Sequence, residues 1–211
     1  MEAEGSHCSV GSVHNAADSD GDQQARVQIC EGKPEEPTEV SVAMGRTLQV
    51  PRACGQTVCL FKFEELFGAA VGAPDFIALI SQFHTIALQG VPIFTADNRS
   101  MGYRFVTFID IAYEHRTKVL MSAEGYPSDL FKNVMTLHDS RAAGEKAGDD
   151  VVVDDNLGFA KDRTVSRLIE MQTIEYALAH SERNQPDMKL ALEEAHSKRV
   201  KKSSPWGLVC E

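Results

Sequence analysis

A chain that hydrolyses nucleoside triphosphates needs a glycine-rich loop whose amides cradle the phosphates, a lysine at the terminal phosphate and a Ser or Thr hydroxyl for magnesium. The pairs that could end such a loop here are Gly32-Lys33 and Gly45-Arg46. At the position where the first glycine is needed they have Val27 and Val40, and Pro34 follows Lys33. Val151, Val152 and Val153 followed by Asp154 and Asp155 have the outline of an apolar strand that presents two acids to magnesium. The run is short, aperiodic and preceded by Asp149 and Asp150, so it reads better as an acidic surface turn or short edge strand. Cys54 and Cys59 have a spacing that zinc sites use, but no second Cys or His pair follows them, and structural or free thiols are the plainer reading. No metal ligand is assigned.

Ser122, His115 and Asp110 contain the side-chain types of a hydrolase triad, yet no glycine-flanked nucleophile turn surrounds Ser122, and no catalytic residue is assigned. His115 closes the cluster Glu114-His115-Arg116 at an expected helix C-terminus, where cations favour the negative end of the dipole. Asn98-Arg99-Ser100 matches a glycosylation acceptor without a secretory context. Arginine is the usual reader of phosphates from a neighbouring element, because its planar fork is always charged. Arg99, Arg104, Arg163 and Arg167 qualify by type, although a solvated or salt-bridged role is the default: Glu170 stands three residues after Arg167, and Asp162 is beside Arg163.

The elements that must position these residues follow from periodicity. Gln56–Phe63 is β-branched and aromatic, a strand pattern, and Glu64 to Phe67 reads as a short helix ended by Gly68. Ala73–Phe83 places Phe76, Leu79, Ile80 and Phe83 on one helical stripe, with Pro74 in the tolerant first turn. Thr85–Leu88 is a short apolar run stopped by Gly90 and Pro92, a buried strand. Asp97 offers a cap for a helix over Asn98–Arg116, whose Met101, Phe105, Phe108, Ile109, Ala112 and Tyr113 repeat with helical period. With a strand over Thr117–Ser122 this makes a parallel strand, helix, strand unit and favours an α/β architecture. A helix is expected near Ser128–Leu137, a loop or insertion over residues 138–160, and a two-faced helix from Arg163 through Tyr176 capped by Asp162. Pro186 opens a last, largely charged helix, so residues 183–211 read as charged helix and tail.

Charge divides the chain. Residues 1–45 carry nine acids against two bases, −7 of the net charge of −10, with few aromatics, so this segment is expected to be disordered. The remainder is nearly balanced and long enough to bury a core. An acidic chain with one short basic run, Lys198 to Lys202, argues against nucleic acid as a partner. No run of about 18 apolar residues is present, so no membrane span is expected and the protein reads as soluble. Five scattered cysteines and no targeting segment suggest free thiols in a reducing compartment.

Several ordered blocks resemble the C-terminal part of the ZapE-like ATPases, the bacterial cell-division ATPase and its mitochondrial AFG-type, or lactation-elevated, relatives. They run from Phe61-Lys62-Phe63-Glu64-Glu65-Leu66 through Gly72-Ala73-Pro74-Asp75-Phe76-Ile77-Ala78-Leu79, Phe83-His84-Thr85 and Gly90-Val91-Pro92. Next are Asn98-Arg99, Arg104-Phe105-Val106-Thr107-Phe108-Ile109-Asp110, Tyr113-Glu114-His115-Arg116 and Ser122-Ala123-Glu124. The last is Arg163-Thr164-Val165-Ser166-Arg167-Leu168-Ile169-Glu170-Met171-Gln172 with Tyr176. The chain departs from the family at Tyr103-Arg104, where paired arginines are common, at Leu66-Phe67 in place of Leu-Cys, and at Asp162 in place of Glu.

The resemblance implies a P-loop, AAA-type family that binds and hydrolyses ATP with magnesium, tied to mitochondrial protein quality control or bacterial division. It also implies that the phosphate loop, magnesium-binding acids and sensor strand lie upstream of the matching blocks. The expectation is therefore the C-terminal α/β portion of such an ATPase, over residues 46–182, as a truncated or split member that is inactive alone and takes no cofactor by itself. Its partners would be a nucleotide-binding half or homologous subunits and a client protein. By resemblance it would be mitochondrial, and otherwise cytoplasmic. Arg104, Arg163 and Arg167 become candidates for nucleotide-proximal or intersubunit contacts. The alternative is a non-enzymatic interaction module using the exposed face of the Arg163–Tyr176 helix.

Overall fold

The structure is a computed structural model that describes residues 13–15, 30, 33–143, 150–184 and 193. The Cys8 and Cys210 thiols, the Pro186 helix and the Lys198 to Lys202 run lie outside the described residues.

Strands β1 (Val13–Asn15), β2 (Glu35–Ser41), β3 (Thr47–Cys54), β4 (Val58–Lys62), β5 (Thr85–Val91) and β6 (Lys118–Ala123) form one sheet in the order β1-β6-β5-β4-β3-β2. β4, β5, β6 and β1 run parallel, with Leu60 opposite Ala87 and Ala87 opposite Leu120, while β2 and β3 add an antiparallel hairpin at the β4 edge. The parallel steps need long crossovers. α1 (Phe63–Phe67) and α2 (Ala73–Gln82) connect β4 to β5, and α3 (Arg99–Glu114) connects β5 to β6. Both steps move the same way along the sheet, so right-handed crossovers put all three helices on one face.

That face holds the core. Phe63, Phe67, Phe76, Phe105 and Phe108 are at most 1 % exposed, and Phe67 meets Phe105 and Phe108 edge-on with ring centroids 5.6 Å apart. The expected apolar stripes of α2 and α3 supply most of it. After β6 come one helical turn, α4 (Pro127–Leu130), the small parallel pair β7 (Val134–Met135) and β8 (Val152–Val153) with α5 (Leu137–Ala143) between them, then α6 (Asp155–Glu170) and α7 (Ile174–Asn184).

Several expectations change. Within the acidic segment expected to be disordered, Glu35–Ser41 is strand β2, because its alternation buries Val40 against the sheet and β3 supplies a full hydrogen-bonding edge. β5 continues past Gly90, which adopts φ 75° at a register shift, and stops only before Pro92. Asn98 rather than Asp97 precedes α3, and its side chain accepts from Thr95 N and donates to the Ile93 carbonyl. The helix expected over 128–137 is a single turn, since Phe131 and Val134 turn inward and Val134 enters β7.

The loop expected over 138–160 contains α5, β8 and the first turns of α6. Asp154, not Asp162, caps α6, accepting from Leu157 N, which starts that helix eight residues earlier than expected. Its buried stripe passes through Leu157, Gly158, Thr164 and Leu168, only partly apolar by composition. Gly158 is required there: a Cβ would lie 2.8 Å from Thr136 Cγ2. The two-faced helix from Arg163 to Tyr176 is two helices. Thr173 breaks it, its hydroxyl accepting from Tyr176 N to start α7, and Leu168 and Tyr176 are buried while Ile169 stays exposed.

The free-thiol expectation is corrected as well. Cys30 and Cys54 form a disulfide, while Cys59, one step along the neighbouring strand, is free and buried on the helix side of the sheet. The two thiols that pair are 24 residues apart, a distance no spacing rule links.

Candidate functional site

The chemistry-bearing side chains gather where α3, α6 and α7 meet. Arg163 and Arg167 lie four residues apart on one face of α6, and both reach Asp110 on α3. Arg163 Nη2 is 2.8 Å from Asp110 Oδ2, and Arg167 takes the other oxygen. The carboxylate is therefore shared between two guanidiniums. Arg167 also stacks on Tyr113, one turn further along α3, with 5.0 Å from Cζ to the ring centroid.

Arg116 continues the stack from the end of α3. It lies 5.1 Å from the Tyr113 centroid and 5.2 Å from that of Tyr176, and it pairs with Glu170 at 3.6 Å. The Tyr113 hydroxyl donates to Glu170 at 2.7 Å, a bond that holds the phenol above its usual range. Arg116 turns there because it adopts φ 54°, and its carbonyl accepts from His180 Nδ1 at 2.8 Å. Buried Tyr176 donates to the Ala112 and Thr117 carbonyls, and burial lifts its phenol far above the ordinary value. Burial pushes His180 down to about 4, opposed by the Arg116 carbonyl and assisted by His84 and Lys118.

The other arginines take different partners. Arg104 donates to the Phe67 carbonyl at the end of α1, 2.8 Å away. Arg99 pairs with Asp154, which also accepts from the Tyr103 hydroxyl at 2.5 Å. Burial raises the Asp154 carboxyl, but Leu157 N, Tyr103 and Arg99 together outweigh it and hold the group below the usual carboxylate range. The structure thus brings Arg163 and Arg167 together and sets Arg104 apart. The partners expected from sequence, Glu170 and Asp162, are replaced by Asp110, fifty or more residues away.

Asp110, Tyr113, Arg116 and Glu170 were not legible as one group, since Asp110 and Tyr113 meet Arg163, Arg167 and Glu170 only across more than fifty residues. His115 closes α3, and its backbone carbonyl accepts from Arg183. Ser122 accepts from Gly90 N, which places it in the strand ladder rather than a nucleophile turn.

Ligands of parallel sheets sit beyond the carboxyl ends of the strands, where helix N-termini offer amides to anions. At two helix starts the amides meet carboxylates. Asp75 fills the start of α2, accepting from Gly72 N, and Asp154 fills the start of α6. Beyond β5 and β6, Glu124 accepts from Ile93 N. Each of these amides already faces a carboxylate, whereas the start of α3 has no side-chain cap and no acid in its first turn. Among the described residues no cluster of three or more His, Cys, Asp or Glu could hold a metal, and no helix is long and apolar enough to cross a membrane.

Comparison with known proteins places these elements. Lactation elevated protein 1 homolog B of Danio rerio is 32% identical over 150 residues, which cover 63% of this chain and 28% of the relative. The cell division protein ZapE of Escherichia coli is 32% identical over 102 residues, 48% of this chain and 22% of that protein. A protein of Schizosaccharomyces pombe is 35% identical over 94 residues, 44% of this chain and 20% of its own. The matched stretches are thus less than a third of each relative's length. No solved structure matches the chain. The family model described as AFG1-like ATPase matches residues 7–180, nearly the whole of the sheet and the helices packed on it, and the chain belongs to that family.

Proposed function

We propose that this chain is the C-terminal portion of an AFG1-like ATPase, which acts by docking on a nucleotide-binding half or on homologous subunits and does not hydrolyse ATP alone. The observation that supports the reading is that Asp75 and Asp154 fill the starts of α2 and α6, where a phosphate cradle would need open amides, although the start of α3 carries no acid. The sequence supports it, since neither Gly32-Lys33 nor Gly45-Arg46 completes a phosphate loop, and the two acids that follow β8 are already taken, Asp154 by Arg99, Tyr103 and Leu157 N and Asp155 by Leu137 N. ATP and magnesium then belong to the assembled family member, and the mitochondrial setting follows from the resemblance.

In that assembly Arg163 and Arg167 are the candidates for nucleotide-proximal or intersubunit contact, with Arg104, set apart from them, a third by motif. Arg163 is half exposed and could exchange Asp110 for an incoming anion, whereas Arg104 would first have to give up the Phe67 carbonyl. The interaction-module reading keeps one supporting observation: Phe159 and Ile169 on α6 are 72% and 55% exposed.

The test is calorimetric titration of the chain with ATP and magnesium, followed by steady-state hydrolysis after mixing with a nucleotide-binding half. No heat from the chain alone, and a turnover in the mixture that falls at least tenfold on Arg163→Ala or Arg167→Ala, is the expected result. Magnesium-dependent ATP binding by the chain alone would overturn it.

A further inference from the structure

Arg163 takes one oxygen of Asp110 at 2.8 Å and Arg167 takes the other, so two cations one helical turn apart share a single anion. They are not held alike. Arg167 also lies over the Tyr113 ring, and only 20% of its side chain meets water. Tyr113 is itself fixed, by its hydroxyl on Glu170 and by Arg116 against its ring. Among the described residues Asp110 is the single polar partner of Arg163, whose side chain is 53% exposed.

The network closes without Arg163. If that guanidinium swings into solvent, Asp110 keeps Arg167, Arg167 keeps Asp110 and Tyr113, and Arg116 keeps Glu170. The converse differs: without Arg167, Arg163 is the one cation among the described residues that still pairs with the Asp110 carboxylate. An exposed ion pair is held weakly in water and is screened by salt. Arg163 is therefore the arginine able to change partners, while Arg167 stays and shares the charge of Asp110.

What can displace Asp110 follows from charge. The carboxylate is tethered beside Arg163, and a tethered group acts at an effective concentration that a free competitor of equal charge does not match. A carboxylate from elsewhere would replace like with like. A phosphoryl group brings a charge of about −1.5 to −2 and three acceptor oxygens, which a guanidinium fork fits.

We propose that Asp110 is an internal latch that occupies Arg163 until a phosphoryl group displaces it, and that Arg167 is a positioning residue that loosens the latch by sharing its carboxylate. The latch rests on the proposed function, in which a docked nucleotide-binding partner presents that group. It makes Arg163 the contact and Asp110 the element that regulates it.

Arginine Nε–Hε resonances of the full chain, titrated with pyrophosphate at low ionic strength without magnesium, test this in the native protein. The Arg163 resonance should shift while those of Arg167 and Arg116 hold still, and acetate at equal ionic strength should shift none of them. Asp110→Asn removes the tethered competitor and should tighten pyrophosphate binding about fivefold or more. Asp162→Asn adds the same charge at the exposed neighbour of Arg163 without touching the latch, and should change binding less than about twofold. Arg167→Ala should weaken binding about threefold, and Asp110→Asn in that variant should restore it. A gain from Asp110→Asn no larger than that from Asp162→Asn would overturn the latch. So would an Arg167 resonance that moves with or before Arg163, a result that needs no variant to fold. Steady-state hydrolysis after mixing with a nucleotide-binding half separates the latch from the reading beneath it. Turnover indifferent to all these variants would overturn the proposed function, while the pyrophosphate differences would still support the latch.

Discussion

Replacing Asp154 by Ala removes three interactions at one point. The carboxylate caps α6 through Leu157 N, accepts from Tyr103 on α3 and pairs with Arg99. An N-cap acid contributes about 1 kcal/mol. A hydrogen bond from a neutral hydroxyl to a buried carboxylate contributes about 1.5–3 kcal/mol. Arg99 adds little, because half of its side chain lies in water. Asp154→Ala should therefore cost about 3–4 kcal/mol in urea denaturation, whereas Asp154→Asn, which keeps the cap and an acceptor, should cost about half of that.

A double-mutant cycle with Tyr103→Phe separates the cap from the contact between helices, and a coupling of about 1 kcal/mol or more is expected. The dependence on pH is a second check. The folded carboxyl sits below its ordinary value, so its stabilisation is complete above the unfolded value of about 4 and is lost as pH falls through the folded one. The gap between native and Asp154→Asn stability should close below pH 4. A loss under about 1 kcal/mol for Asp154→Ala, with no coupling to Tyr103, would refute the assignment of Asp154 as the joint between α3 and α6.

His180, lowered to about 4, binds its proton in the unfolded chain near pH 6.5 but not in the folded one, so stability is full above pH 6.5 and declines as pH falls toward 4. The loss is at most about 3 kcal/mol, and His180→Gln should flatten that part of a stability profile measured by denaturant titration. Gly158→Ala should destabilise by about 1–3 kcal/mol, since its Cβ would lie 2.8 Å from Thr136 Cγ2 and 3.1 Å from Thr136 N. Thermal unfolding reads it, and Thr136→Ser in the same chain should restore part of the loss.

Local pattern was enough for β4, α1, α2, α3 and β6: α2 and α3 each bury a helical stripe, β4 is a β-branched and aromatic run buried on both faces, and α1 ends at an ordinary breaker, Gly68. The ordered blocks from Phe61 to Tyr176 likewise carried the family, since order over that length is rare by chance. What the sequence could not specify were contacts whose energy is non-local. β2 exists because β3 offers it an edge, and α6 starts at Asp154 because Gly158 fits against Thr136. Asp110 holds Arg163 and Arg167 across more than fifty residues, and Cys30 finds Cys54 across the sheet. Local spacing fixes which face of a helix or strand is apolar. Only the closed chain decides which distant residue meets that face, because the loop entropy of joining them is repaid by partners that no short window contains.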